Sequence, residues 1–222
     1  MRPYEQLDSH TTPDGRLLTL HRQGDDLFIN FDGRELMSTR THRTECTLAR
    51  VACREVRGQA SPRVLIGGLG LGYTVVAALD GLSADARVTV AEFFGPVIRW
   101  NREHAERLGR PLEDPRVQLV HSDVWEVLGA AGAFDAILLD VDNGPIGETL
   151  ESNDRLYQGP GLARVRRALA KGGLLAVWSA HPDPSFEKRL RRAGFANVRA
   201  EVARTGKGAR GARHVIFLGS AR

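Results

Sequence analysis

The sequence predicts an α/β protein, a mostly parallel sheet covered on both faces and preceded by a small antiparallel β-lobe. Three observations carry this. Short, wholly apolar runs such as Val64-Leu65-Ile66, Ala136-Ile137-Leu138-Leu139 and Leu174-Leu175-Ala176-Val177-Trp178 alternate with stretches of helical periodicity, the pattern of strands buried on both faces. Ahead of them, residues 1–40 hold short apolar runs punctuated by Asp-Gly, the mark of hairpins. A glycine-rich loop follows the first buried strand and opens a helix. The division expected is a hairpin lobe over 1–43 and an α/β domain over 44–222.

The lobe reads as Leu17 to Arg22, a Gly24-Asp25-Asp26 turn, Leu27 to Phe31, an Asp32-Gly33 turn, and Glu35 to Ser38. Near Thr44 the period changes. Leu48, Ala49, Ala52, Cys53 and Val56 fall on one helical face, with Thr44 as the expected N-cap and Gly58 and Ser61-Pro62 closing the segment. Strands are then expected at Val64–Ile66, Val88–Ala91, Val117–Val120, Ala136–Leu139 and Leu174–Trp178. The intervening helices are expected at Tyr73–Leu79, Val97–Leu108, Leu162–Leu169 (closed by Lys171-Gly172-Gly173) and Phe186–Ala193. Asn197–Ala203 and His214–Leu218 form a closing strand pair around the turn Gly206 to Gly211. That pair separates the pattern from a plain dinucleotide-binding fold.

The chain has 222 residues with 31 Lys+Arg and 27 Asp+Glu, a formal charge of +4, and 42% hydrophobic and 26% charged residues. These values exclude collagen-like and disordered classes. No apolar run approaches the roughly 20 residues of a membrane helix, and Met1 to Glu5 lacks a signal-peptide stretch, so a cytoplasmic protein is expected. Cys46 and Cys53, about 10 Å apart if helical, are expected as reduced thiols, and no residue spacing suggests a metal site. From Phe186 to Arg222 ten Lys/Arg face only Glu187 and Glu201. A solvated face is the first reading of that excess. Without interleaved aromatics or a nucleic-acid motif, a nucleic-acid partner is ranked low.

The chemistry gathers at strand ends. In Ile66-Gly67-Gly68-Leu69-Gly70-Leu71-Gly72 the glycines permit a sharp turn and close approach of a ligand to backbone. Glu92 ends the next strand, 20 residues after Gly72, where a carboxylate accepts hydrogen bonds from ribose hydroxyls. Phe93 beside it is equally suited to covering an adenine face or to packing. Ser122-Asp123 ends the third strand, where a carboxylate suits an adenine amino group. The loop reads GxGxG rather than GxGxxG, and there is no second mononucleotide-binding half. Both features favour S-adenosylmethionine over NAD. Asp140 is expected at the tip of the fourth strand, and Asp142 follows it in a loop bent by Asn143-Gly144-Pro145. Two such carboxylates repel, so one keeps a raised pKa, and the pair suits holding an ammonium group or taking its proton as the amine attacks a sulfonium-activated carbon. For Asp142, capping the turn is the rival role. Trp100, Trp125 and Trp178 read first as packing, and His42, His104, His121 and His181 show no ligand spacing.

Taken together, the β-lobe, Gly67 to Gly72, Glu92, Ser122-Asp123, Asp140 with Gly144-Pro145, and Leu156-Tyr157 before a helix resemble the spermidine synthase (polyamine aminopropyltransferase) family over nearly the whole chain. The resemblance implies a class I methyltransferase-like, Rossmann-like seven-stranded sheet and pairing into a homodimer partly through the lobe. It also implies that Glu92 holds the ribose, Asp123 the adenine, and Asp140 deprotonates the amine, with Tyr157 lining the acceptor pocket unless it packs in the core. Three departures touch donor and acceptor recognition. Gly70 stands where the family's GGGDGG loop has Asp, the acid that grips the donor's amine. The family's Asp-x-x-Asp-Pro-x-Gly-Pro loop is shortened to Asp140 through Pro145. Its Tyr-Gln pair falls at Glu45-Cys46. With Gly70, a full methionine carboxylate is no longer repelled there. The first expectation is therefore methyl transfer from S-adenosylmethionine to a small amine- or carboxylate-bearing acceptor. The alternative is aminopropyl transfer from decarboxylated S-adenosylmethionine, with Glu45, Asp142 or Glu148 replacing the lost acids. A nucleic-acid-modifying enzyme and a non-catalytic adenosyl binder rank below both.

Overall fold

The computed structural model describes residues 3–12, 14–129, 134–141, 144–145, 151–206 and 211–222. Two sheets are present. The first is four-stranded and antiparallel, in the order β1 (Tyr4–Thr11), β2 (Leu17–Gln23), β3 (Asp26–Phe31), β4 (Arg34–Ser38). β2 to β4 are the hairpins of the Asp-Gly pattern. β1 was not distinct in the sequence because its side chains are almost all polar and exposed or half-exposed, so no alternation marks it. It is fastened instead by polar contacts. Asp8 accepts from the Trp100 indole at 2.6 Å and pairs with Arg99, which ties the lobe's edge to the larger domain.

The second sheet has seven strands. β5 (Arg63–Gly67), β6 (Arg87–Glu92), β7 (Val117–His121), β8 (Phe134–Leu139) and β9 (Leu169–Ser179) are parallel, and β10 (Ala196–Arg204) and β11 (Arg213–Ser220) close it as an antiparallel hairpin. The order is β10-β11-β9-β8-β5-β6-β7. Apolar runs without alternation follow from burial on both faces. In β5, Val64 and Ile66 enter one core cluster and Leu65 the other, and all three are fully buried. After β5 the chain builds β6 and β7 to one side, then crosses over to place β8 on the other. A crevice therefore opens at the carboxyl ends of β5 and β8, where open α/β sheets receive ligands.

α1 (Arg43–Glu55), α2 (Tyr73–Gly81), α3 (Gly95–Glu103), α4 (Ala105–Leu108), α5 (Val124–Val127), α6 (Glu151–Tyr157), α7 (Gly159–Ala168) and α8 (Pro184–Arg192) flank the sheet. Three expectations are corrected. Thr44 is not an N-cap: α1 begins at Arg43 with His42 at its cap, and the Thr44 hydroxyl turns inward. The helix expected over Val97–Leu108 is two, because the chain leaves helical geometry at His104 (φ −111°, ψ 25°). α7 starts at Gly159 and stops at Ala168, because β9 already begins at Leu169, so Lys171-Gly172-Gly173 is an irregularity within a strand and not a helix end. The short helix α5 had no apolar period of its own, its first turn being set by Asp123, whose carboxylate accepts from Trp125 N–H. The turn between β10 and β11 falls largely outside the described residues.

One core cluster joins Leu18, Leu20, Ile29 and Phe31 of the lobe with Leu48, Val75 and Trp100 of the α/β domain, so the lobe packs as a wall of the same interior. Cys46 and Cys53 are both free thiols. Among the described residues no helix is long and apolar enough to cross a membrane. Leu138 is fully buried in β8, the strand that carries Asp140, so Leu138→Ala is expected to cost about 2–5 kcal/mol, read as a lower urea midpoint with an unchanged slope.

Candidate active site

The crevice is a cleft with about 1020 Å³ of empty space, its open mouth included, lined on one side by Leu18, Ile29, Leu36 and Met37 of the lobe and on the other by the strand ends. The glycine loop is its floor. Gly68 N–H donates to the Ala91 carbonyl at 2.9 Å, and Asp140 N–H to the Gly67 carbonyl at 2.9 Å, so β6, the loop and β8 are joined at their tips. Gly68 has φ +90°, and a Cβ there would run into the Asp140 carbonyl, so only glycine lets the loop pass this close to β8. Asn101 of α3, almost fully buried, donates to the Gly70 carbonyl at 2.7 Å and steadies the loop from behind. Gly67 packs against Val124 and Leu139, Leu69 is buried beneath the loop, and Gly72 caps α2.

Glu92 is buried at the end of β6. Its Oε2 accepts from Leu69 N–H at 2.8 Å and its Oε1 from Phe94 N–H at 2.7 Å, while burial holds its pKa above the ordinary carboxylate value. It lines the cleft, and the backbone N–H groups of Gly70 and Phe93 also favour its charged form. Phe93 stands half-exposed at the rim, edge-on to Phe94 with ring centres 5.2 Å apart. Asp123 also lines the cleft, but its carboxylate is already engaged: Oδ1 caps α5, and Oδ2 accepts from Arg155 at 2.6 Å. Ser122 contributes a backbone N–H to the Glu92 carbonyl and does not line the cleft.

Asp140 emerges at the tip of β8, half-buried, and its Oδ2 accepts from the Thr74 hydroxyl of α2 at 2.5 Å. Burial, reinforced by the charge of Glu45, pushes its carboxyl up to about 7. Glu45 projects from α1 into the same cleft. It is buried, its pKa is raised by that burial, and its Oε2 accepts from the Thr44 hydroxyl at 2.7 Å. The acid pair formed here is thus Asp140 with Glu45. Asp142, the partner expected from the sequence, lies outside the described residues, as does Glu148. Tyr157 is corrected to the core: it is almost fully buried, edge-on to Phe186, and its hydroxyl donates to the Val141 carbonyl at 3.2 Å behind the cleft.

Thr74, Met37 and Asn101 escaped the sequence reading. Glu45 left a trace there: counting back from Leu48 and Ala49 by three and four residues puts an acid on the apolar stripe of α1. Met37 left none. Its sulfur accepts from Leu71 N–H at 3.0 Å and sits where a Cβ on Gly70 would be, so Met37 fills the space that a longer residue in the loop would need. Among the described lining residues there are four carboxylates (Glu45, Glu92, Asp123 and Asp140) and no Lys, Arg or His. A cleft in a chain of formal charge +4 is therefore locally acidic.

No protein-family model matches the chain, and no curated protein does. Solved structures do. A spermidine synthase in complex with the transition-state analogue AdoDATO matches with a TM-score of 0.77 at 18% identity, covering 98% of this chain and 73% of that one. The spermidine synthase from Thermotoga maritima matches at 0.76 and 18%, with the same coverage. A probable spermidine synthase from Corynebacterium glutamicum matches at 0.69 and 18%, covering 100% of this chain and 81% of that one. The chain has the spermidine synthase fold, lobe and seven-stranded sheet together.

The raised Asp140 pKa fixes a sign for stability. Its ordinary value is 3.8, so between there and about 7 the folded protein holds a proton that the unfolded chain has released. This contribution therefore destabilises the fold as pH rises through that window. Asp140→Asn, which can still accept from Thr74, is expected to raise stability by on the order of 1–2 kcal/mol at about pH 8 and to change it little at about pH 4, in urea titrations at the two pH values.

Proposed function

We propose that the protein is an aminopropyltransferase of the spermidine synthase type, moving the aminopropyl group of decarboxylated S-adenosylmethionine to an amine. The observation that carries this reading is the charge of the cleft: four carboxylates with no cation among the described lining residues. The carboxylate of intact S-adenosylmethionine finds no cationic partner among those lining side chains. The decarboxylated donor, with a sulfonium and an ammonium, and an amine acceptor both suit the cleft. This displaces methyl transfer, the first expectation from the sequence. That expectation counted the acid missing at Gly70 but not the acid gained at Glu45. The fold shared with spermidine synthases supports the same side.

In this reading Glu92 receives the ribose hydroxyls at the cleft wall, and Phe93 covers the base. Asp123 accepts from the adenine amino group while retaining Arg155. Gly67 to Gly72 let the nucleoside lie against backbone. Asp140 accepts a proton from the acceptor amine. The freed nitrogen lone pair forms a bond to the propyl carbon, the carbon–sulfur bond breaks, and sulfur leaves as a neutral thioether. A base with a pKa near 7 is matched to that work at neutral pH. The apolar wall of Leu18, Ile29, Leu36 and Met37 keeps water from the sulfonium.

The test is turnover of purified protein with putrescine and each donor. Thioether nucleoside and spermidine are expected from the decarboxylated donor, with a rate that rises with pH through about 7 as Asp140 loses its proton. Asp140→Asn is expected to lower kcat by roughly 10²–10⁴-fold. Transfer of methyl from the intact donor, with the decarboxylated donor inert, would overturn the proposal in favour of a methyltransferase.

A further inference from the structure

Glu45 has a supporting structure that the reaction just described does not use. The Thr44 hydroxyl, buried in α1, has one proton and gives it to Glu45 Oε2 at 2.7 Å. The same oxygen lies 3.0 Å from Nδ1 of His214 on β11. With its proton committed to Glu45, the hydroxyl can only accept from the ring, which assigns the proton of neutral His214 to Nδ1. Burial and nearby His181 hold the His214 pKa below its ordinary value, so the ring is neutral at neutral pH. Its position is fixed by an edge-on contact with Trp178, ring centres 4.8 Å apart, and Trp178 itself lines the cleft. The result is a directional chain, His214 Nδ1–H to Thr44 hydroxyl to Glu45 carboxylate, reaching the cleft from the closing strand pair.

Such a chain favours the charged form of Glu45, against the burial that disfavours it. The groups that face Glu45 are Asp140 on β8, Cys46 on its own helix, Tyr73 on α2 and His42 at the helix start, with His214 behind Thr44. None of them is a lysine or arginine. Among the described residues, this buried carboxylate stands beside a second acid with no lysine or arginine facing it.

We propose that Glu45 is a second amine-binding acid of the cleft, opposite Asp140, and that Thr44 and His214 are its positioning residues. The proposal rests on the reading of the site as one for cationic amines, and it names the group that recognises the amine's charge where the loop acid is missing.

Carboxyl carbon resonances of Glu45 and Asp140, followed against pH in the unliganded protein, test the relay without turnover. Thr44→Val is nearly isosteric and removes the hydroxyl. It is expected to raise the Glu45 midpoint and, by weakening the charge beside it, to lower that of Asp140. His214→Asn, which keeps a donor near Nδ1, is expected to stay close to the unaltered protein, whereas His214→Leu moves toward Thr44→Val. In assays, Thr44→Val and Glu45→Gln are expected to raise KM for putrescine roughly tenfold or more with a smaller change in kcat. Unmoved midpoints in Thr44→Val, or His214→Asn behaving as His214→Leu, would overturn the relay. A Glu45 resonance that does not respond to putrescine would overturn its amine-binding role. A Glu45 that responds to putrescine in a protein without aminopropyl turnover supports the present inference and sinks only the assigned reaction.

Discussion

Two carboxylates that share one apolar cleft set the terms for the rest of this structure. Asp140 and Glu45 come from opposite elements, a strand tip and a helix, and each is pushed toward its neutral form by burial and, for Asp140, by the other's charge. An arrangement of this kind is unfavourable unless polar partners offset part of its cost. Here the partners are two threonines. Thr74 donates to Asp140 and Thr44 to Glu45, and the backbone N–H groups of Thr44 and Glu45 add to the support of the Glu45 carboxylate. On the reading of the cleft as an amine site, a cationic ligand offsets the rest of that cost.

The surroundings are correspondingly rigid. Gly68 is pinned to β6 and Asp140 to β5 by backbone hydrogen bonds, Leu69 is tied to Glu92, and Gly70 is held by Asn101. Glu92 thus braces the loop as well as lining the cleft. These bonds tie the loop and the strand tips together where charge is concentrated.

What the sequence made legible was governed by local rules. Val64–Ile66 and Ala136–Leu139 are apolar without alternation because both faces are buried, and the hairpins of β2 to β4 are written in Asp-Gly pairs. The glycine loop, Glu92, Asp123 and Asp140 all sit at successive strand tips, which follows from placing strands correctly. The hidden parts depend on contacts between distant segments. β1 is polar along its length and is held by Trp100 and Arg99, 92 and 91 residues away from Asp8. Met37 meets the loop 34 residues on, and Thr44 meets His214 across 170 residues. Thr44 in particular looks like a cap by residue type, and only the tertiary structure turns it toward another partner.

The departure at Gly70 also changes meaning in three dimensions. In a one-dimensional comparison it is a lost acid, and a lost acid argues for a donor that no longer needs one. In the fold, Met37 occupies that space and hydrogen-bonds the adjacent N–H, so the loop is closed to a carboxylate of its own, and the negative charge stands instead on α1 at Glu45. An ammonium group is recognised by the sum of charge and geometry in a cleft, not by the sequence position from which the charge comes. The balance of acids over the described lining of the cleft is then a better guide to the kind of substrate than the residue at any one motif position.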